Sequence, residues 1–368
     1  MNKAYRFRIY PNREQEEILK KTFGSCRFLY NIMLEDKIRA YQESKKMLKN
    51  TPAQYKKKCP WLKEVDSLAL ANVQLHLEAA YRSFFRDPKI GFPKFKSKHR
   101  SRKSYTTNVV NGNIRIENGR IKLPKLTAIK IKQHREIPVE YKLKSVTVSK
   151  EPSGKYYVSL LYEYADCENQ TESNHHREAQ NILGMDYAMD GMAVLSDGTR
   201  CKYPSYYRKM EGKLAREQRK LSKCEKGSRN YRKQQKKTAL CHEKIRNQRK
   251  DFQHKLSRRI AEAYDAVVVE DLNMKAMSQC LNLGKGIMDN GYGQFVNMLS
   301  YKLEERKKKL VKVNRYYPSS KTCSQCGKVK GTLVLSDRIY RCECGNEMDR
   351  DVNAAINLRE EGRRILYA

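Results

Sequence analysis

The chain has 368 residues, enough for two or three cores, and carries 77 Lys and Arg against 41 Asp and Glu, a formal charge of +36. So one-signed a surplus argues against a free-standing protein without a polyanionic partner, and nucleic acid is the obvious candidate. No apolar run approaches the roughly 20 residues of a spanning helix, and the opening Met1-Asn2-Lys3-Ala4-Tyr5-Arg6 lacks an apolar leader; a cytoplasmic protein without a membrane partner, nucleoid-associated when on DNA, is the expectation.

Ala4 to Tyr10 alternates like a half-buried strand. Pro11-Asn12-Arg13-Glu14-Gln15 then predicts a helix start, with Asn12 as cap and Gln15 three residues on. An apolar stripe follows through Leu19, Phe23, Leu29 and Met33. Asp66 predicts the cap of a further helix; Leu70, Val73, Leu77, Ala80 and Phe84 share one face of it, and Pro88 stops it. Beyond Gly91 the character changes. Asn111-Gly112 and Asn118-Gly119 are turn signals among short alternating runs such as Ile121 to Leu123, Ile129 to Ile131, Ser145 to Val148 and Tyr156 to Tyr162. These predict a small antiparallel barrel or sheet, which the N-terminal strand could join with the helices of residues 13–87 inserted between.

Asp166 to Gln180 is polar and predicts a linker; its adjacent His175 and His176 have no further ligand spacing to support a metal site. Gly184 to Leu195 predicts an apolar strand, a tight turn and a second apolar strand. Tyr206 to Tyr264 is a very basic helical stretch, broken at Glu225 to Asn230 into a hairpin with a seam of Leu214, Leu221, Leu240, Ile245, Phe252, Leu256 and Ile260. Its one-signed charge suits phosphate better than a merely solvated face. Ala266 to Glu270 is an apolar run that ends in an acid. Gly284 to Gly293 is glycine-spaced and suits a gating loop or a plain surface loop equally well.

Seven of the 11 cysteines (Cys26, Cys59, Cys167, Cys201, Cys224, Cys241 and Cys280) are scattered and read as reduced thiols. The other four are not scattered. Cys323 and Cys326, then fifteen residues, then Cys342 and Cys344 approximate a four-thiolate zinc ribbon, with Gly327 and Gly345 where the chain curls around the ion. Four thiolates leave no open coordination position, so the expected Zn2+ is structural, and it stands just before Asp351, which it could help to place.

Asp186, Glu270 and Asp351 are each ordinary alone: a turn residue, a strand end, a helix cap. Together, on a strand hairpin, a later strand and a final helix, they suit a pair of hard cations, Mg2+ with Mn2+ as a substitute, in an RNase H-like arrangement. That arrangement predicts Asp186 in mid-strand. Asp349 and Asp190 are alternative acids of lower rank, Asp190 because an Asp in a turn is ordinary turn chemistry. Ala354 and Ala355 would let the last helix approach the sheet closely. Asn353 would orient Asp351 or a phosphate, or else serve helix packing or capping.

Gly184-Met185-Asp186, the run from Val267 to Glu270-Asp271-Leu272, and Cys342-Glu343-Cys344-Gly345 followed by Asp349-Arg350-Asp351-Val352-Asn353-Ala354-Ala355-Ile356-Asn357 resemble the transposon-encoded TnpB proteins, relatives of type V CRISPR effectors. The resemblance continues through Arg8-Ile9-Tyr10-Pro11-Asn12, Ala80 to Arg86, Gly91 to Phe95, Lys122 to Lys125 and Tyr317 to Cys323, so it covers nearly the whole chain. It implies a multidomain, bilobed protein of α/β plus β-barrel class. A wedge-type barrel (1–12 and 88–165) would carry a helical recognition insert (13–87). A linker (166–180) would lead to an RNase H-like RuvC nuclease (181–317 and 346–368) holding a zinc ribbon (318–345). The implied activity is RNA-guided cleavage of double-stranded DNA beside a short adjacent motif, with a guide RNA from the transposon end and with Asp186, Glu270 and Asp351 holding Mg2+. The resemblance makes Gly284 to Gly293 a mobile lid over that site. A nuclease that has lost activity and represses, or a transposase, is the alternative.

Overall fold

A computed structural model of the chain describes residues 2–165, 179–189, 191–280, 284–334 and 337–368. The linker expected at 166–180 lies almost wholly outside the described residues, together with His175, His176, Cys167 and Asp190. The chain divides into two units, Met1–Gln170 and Thr171–Ala368.

The first unit runs β1 (Asn2–Tyr10), α1 (Arg13–Ser44), α2 (Pro52–Lys58), α3 (Ser67–Arg86), β2 (Lys103–Asn108), β3 (Arg115–Glu117), β4 (Arg120–Lys122), β5 (Ile129–Lys132), β6 (Lys142–Lys150) and β7 (Tyr156–Glu163). Asn12 starts α1 as its residue type dictates: its Oδ1 accepts from Gln15 N at 2.8 Å, and Gln15 Oε1 accepts from Asn12 N at 2.9 Å. Asp66 opens α3 by accepting from Leu68 N at 2.9 Å. The strands form one antiparallel sheet in the order β2-β6-β7-β1-β5-β4-β3. The N-terminal strand is therefore central, between β7 and β5, and the sheet is open, with β2 and β3 at its edges. Asn118 and Gly119, at φ 50° and 68°, turn the β3–β4 hairpin, a conformation that Asn and Gly adopt most cheaply. Asn111-Gly112 turns likewise but makes no hairpin, because the strands it joins stand at opposite edges. Phe7, Ile9, Leu19, Leu29, Leu70, Leu77, Val148 and Val158 belong to one core.

The second unit runs β8 (Ile182–Asp186), β9 (Ala193–Leu195), β10 (Arg200–Cys201), α4 (Tyr206–Ser222), α5 (Arg229–Ala263), β11 (Ala266–Glu270), α6 (Met274–Cys280), α7 (Gly284–Asn290), α8 (Tyr292–Glu304), β12 (Lys309–Val313), β13 (Ile339–Arg341), β14 (Glu347–Asp349) and α9 (Arg350–Tyr367). Its main sheet has the order β10-β9-β8-β11-β12, with β8, β11 and β12 parallel and β9 and β10 antiparallel to their neighbours. The alternation of a strand sorts the side chains. Leu183, Met185, Val267 and Val269 face a core with Leu256 and Ile260 of α5 and Phe295 and Leu299 of α8. Ile182, Val268, Val311 and Val313 face Leu358 of α9 on the other side.

Two glycines let α9 lie close on that sheet. A Cβ on Gly184 would sit 1.9 Å from the Ala355 carbonyl oxygen, and one on Gly362 would sit 2.2 Å from Val268 Cγ2. Ala354 and Ala355 are fully buried there, as the close approach requires. The α4–α5 hairpin breaks where the sequence predicts. Leu214, Cys241 and Ile245 form a seam between its helices, whereas Leu240 is 38% exposed; the inward position is one residue further along the helix than the apolar pattern predicts. Among the described residues no helix is long and apolar enough to cross a membrane.

Candidate functional site

Asp186 ends β8 and Glu270 ends β11. The two strands are parallel neighbours, with Val269 opposite Met185, so both acids emerge at the carboxyl ends of adjacent strands. Strand order reverses between β8 and β11, and such a switch point opens a crevice in an α/β sheet. Asp186 is thus the last residue of its strand, not a mid-strand residue as the sequence reading had it, because the chain turns towards β9 directly after it.

The third acid comes from α9. Asp349 caps that helix, accepting from Asp351 N at 3.0 Å and Val352 N at 3.1 Å. That takes the capping role away from Asp351, whose side chain bears on Asp186 instead. Burial, then the charges of Asp351 and Glu270, push the Asp186 carboxyl up to about 8 from 3.8. Burial also raises Glu270. Asp351 and Glu270 are therefore each within electrostatic reach of Asp186, a crowding of carboxyl groups that a hard cation would relieve.

Arg200 on β10 stands at the rim: its Nη2 is 2.6 Å from Asp349 Oδ2 and its Nη1 is 3.4 Å from Asp351 Oδ2. Nothing in a two-residue strand announces this. Only the sheet order carries β10 to the helix that bears the third acid.

The four predicted cysteines do gather. Cys323 and Cys344 sulfurs lie 3.6 Å apart, as do those of Cys326 and Cys342, and all four lie within 4.8 Å of one another. A tetrahedron of Zn–S bonds of about 2.3 Å has edges of about 3.8 Å, so the set fits a four-coordinate soft ion. Burial raises the Cys323 thiol, but the Cys326 N–H and the Asn346 amide outweigh it and hold Cys323 down to about 6. Cys344 is lowered by the Asn346 N–H, yet its neighbouring sulfurs push it up to about 12, as expected of thiols that share protons until an ion displaces them. The three carboxylates do not meet the 4.8 Å spacing, the only set among the described residues that does being the cysteines. Like charges repel, and Arg200 engages Asp351.

Of the two roles expected for Asn353, the structure shows the packing one. Its carbonyl accepts from Ser324 N at 3.0 Å, and its amide donates to Thr322 O at 2.7 Å; Asn357 adds bonds of 2.7 Å to Ser319 O and Thr322 O. Both side chains tie α9 to the first cysteine knuckle rather than orienting Asp351. The cysteine cluster and the third acid therefore share one rigid connection.

Residues 284–290, read as a loop, are helical. Asp289 is buried and accepts from Tyr203 Oη at 3.0 Å and from Tyr207 N and Arg208 N at 3.0 and 3.4 Å. It thereby caps α4, whose own preceding Ser205 makes no capping bond. Asn290 donates to Tyr187 Oη and Gly191 O, and Gln253 of α5 donates to the carbonyls of Asn290 and Gly291. These bonds join distant segments, so local pattern gave no sign of them.

A mixed sheet with acids at the carboxyl ends of two adjacent strands, and a four-cysteine cluster leading into a last helix that carries a third, defines a class; comparison with known proteins gives the family. A family described as "Probable transposase" matches residues 160–281, "Cas12f1-like, TNB domain" matches 292–358, and "Helix-turn-helix domain" matches 1–46. In that last range the structure has one strand and one long helix. A Streptomyces pristinaespiralis protein named "Putative RNA-guided DNA endonuclease" is 34% identical over 98% of this chain and 90% of its own length. The Escherichia coli K12 protein "Putative RNA-guided DNA endonuclease InsQ" is 30% identical over 99% and 93%. A solved Cas12f1–sgRNA–target DNA complex has a protein of similar fold, with a TM-score of 0.58 at 14% identity over 98% of both chains. The chain belongs to the TnpB family.

Proposed function

We propose that this chain is an RNA-guided DNA endonuclease of a transposable element, cleaving target DNA beside a short adjacent motif. The observation that carries the reading is that Asp186 and Glu270 end adjacent parallel strands, with Asp351 of α9 within electrostatic reach of Asp186, in a chain whose relatives, matched over nearly their full length, bear that name. The strand order 3-2-1-4-5 of the second unit supports an RNase H-like, RuvC-type nuclease at 181–317 and 346–368, interrupted by a zinc ribbon at 318–345. In the first unit the open sheet supports a wedge of 1–12 and 88–165, with the helices of 13–87 as recognition insert.

Asp186, Glu270 and Asp351 would hold Mg2+, and Cys323, Cys326, Cys342 and Cys344 would hold Zn2+. Their donor sets fit: hard oxygens in surplus negative charge for the first, four close sulfurs for the second. The chemistry that a pair of bound Mg2+ supplies is activation of water and stabilisation of the leaving 3′ oxygen. The chain's own residues do the rest. Lys and Arg in excess hold the guide–target heteroduplex by its phosphates, and base pairing, not side chains, reads the sequence. Arg200 sets the rotamers of Asp349 and Asp351 from the rim. Asn353 and Asn357 fix the start of α9 against the cysteine knuckle.

The test is guide-programmed cleavage. Asp186→Ala should cut on the order of 1,000-fold more slowly or worse, with RNA and DNA binding unchanged. Wild-type cutting by that variant would remove the assignment. The family description "Probable transposase" favours strand transfer as a second reading; joined products between a donor end and target DNA, in place of simple breaks, would establish it.

A further inference from the structure

Tyr292 opens α8 and is 3% exposed, yet its hydroxyl has no hydrogen-bond partner. A buried unpaired hydroxyl is costly, and Phe would fill the same space without that cost. Other tyrosines of this unit find partners: Tyr203 donates to Asp289, Tyr264 to Asp197 and Tyr340 to Lys321 O. The exception stands at the acid site. The Tyr292 ring packs on Tyr187, the residue after Asp186, with centroids 4.7 Å apart. After burial, the charges that act most on its hydroxyl are those of Asp186 and then Glu270, and all three influences keep the phenol protonated. The hydroxyl is therefore an unpaired donor within electrostatic reach of two carboxylates.

Its placement is held from several sides. Asn290 Oδ1 accepts from Tyr292 N at 3.2 Å, while the amide of the same side chain donates to Tyr187 Oη at 3.1 Å and Gly191 O at 3.2 Å. Gly291 makes the bend at φ 62°, and Gln253 fixes its carbonyl at 3.0 Å. Phe295, one helical turn along, braces the ring at 6.2 Å. The surroundings thus hold one aromatic ring firmly and leave its single polar atom unpaired.

We propose that Tyr292 is a positioning residue of the nuclease site: its buried, unpaired hydroxyl donates to the Asp186 carboxylate when a divalent cation is bound there. The bond fixes one carboxylate oxygen and leaves the other for the ion, as hydrogen-bonded supports do for metal-ligating carboxylates elsewhere. This inference rests on the reading of Asp186 and Glu270 as ion ligands.

The test is Tyr292→Phe in the full chain bound to its guide RNA, with two readouts. One is the Mg2+ concentration for half-maximal cleavage. The other is Mn2+ binding followed by the electron paramagnetic resonance of free Mn2+, with Asp186→Ala/Glu270→Ala as the background. We expect an unchanged or higher melting temperature, unchanged DNA binding, about tenfold weaker site-specific Mn2+ binding and about tenfold more Mg2+ required. Cleavage at saturating Mg2+ should recover to within about threefold. Unchanged ion binding and Mg2+ requirement in Tyr292→Phe would overturn the proposal, the hydroxyl being then a packing atom only. If Asp186→Ala itself cleaves like wild type, the underlying assignment fails, whatever Tyr292→Phe does.

Discussion

The cysteine cluster and the carboxylate site are built in opposite ways although one helix serves both. Four sulfurs stand within 4.8 Å of one another, close to the edges of a finished tetrahedron. The acids are wider set, push against one another, and lie where the sheet opens. On the proposed function, the difference separates a site that has only to hold an ion from a site that must also admit a substrate. The first is closed by its own short loops; the second collects groups from β8, β11 and α9 and keeps them apart until charge arrives. Asn353 and Asn357 connect the two, so that the closed site braces the open one.

Substitution can break this contrast, most severely at the acids. Asp186→Asn should abolish cleavage, by on the order of 1,000-fold or more, while raising the melting temperature of the ion-free protein, because it replaces a buried carboxyl that can fold only by keeping a proton. The sign follows from linkage. A carboxyl raised from 3.8 to about 8 in the folded state keeps a proton that the unfolded chain gives up. It therefore opposes folding increasingly as pH rises from about 4 to about 8. The stability gap between Asp186→Asn and wild type, read from urea melts without divalent ions, should widen over that window and close when Mg2+ is added. A gap that does not change with pH would mean that the acids do not interact.

At the closed site the effect should be intermediate and of another kind. Cys342→Ser should lose the bound ion by elemental analysis, lower the melting temperature, and slow cleavage by roughly 100-fold through loss of the support beneath α9. Stability and activity fall together here, whereas at Asp186 they move apart. The smallest change sharpens the link between them. Asn353→Ala should retain zinc yet cut about tenfold more slowly, with faster hydrogen exchange at the Ser324 amide. Full activity in a variant whose knuckle has come loose would show that the two sites work independently.

The parts of this molecule that were legible in the sequence were those whose signal is local. Asn12 with Gln15, Asp66, and Asn118-Gly119 each act within four residues and lie where their chemistry predicts. The cysteine spacing was sufficient because two short knuckles specify the cluster. For the acids, the sequence placed Glu270 at a strand end and Asp351 at a helix start, as the structure has them, but placed Asp186 in mid-strand, where the structure has it at the strand's end. That Asp349, not Asp351, is the cap follows only from the hydrogen bonds at α9. Arg200, Asp289 and Tyr292 were not legible at all, since each matters through a partner that only the sheet order and the packing of α7 and α8 bring near. The glycine spacing of 284–293 suggested a loop because the bonds that stabilise α7 come from α5, Tyr187 and the start of α4, far away in sequence.

Anomalous diffraction from crystals of the RNA-bound protein soaked in Mn2+ tests the account most directly. Peaks bounded by the carboxylate oxygens of Asp186, Glu270 and Asp351, and lost in Asp186→Ala crystals, are the expected result. Mn2+ bound elsewhere, with those three side chains turned apart, would contradict it.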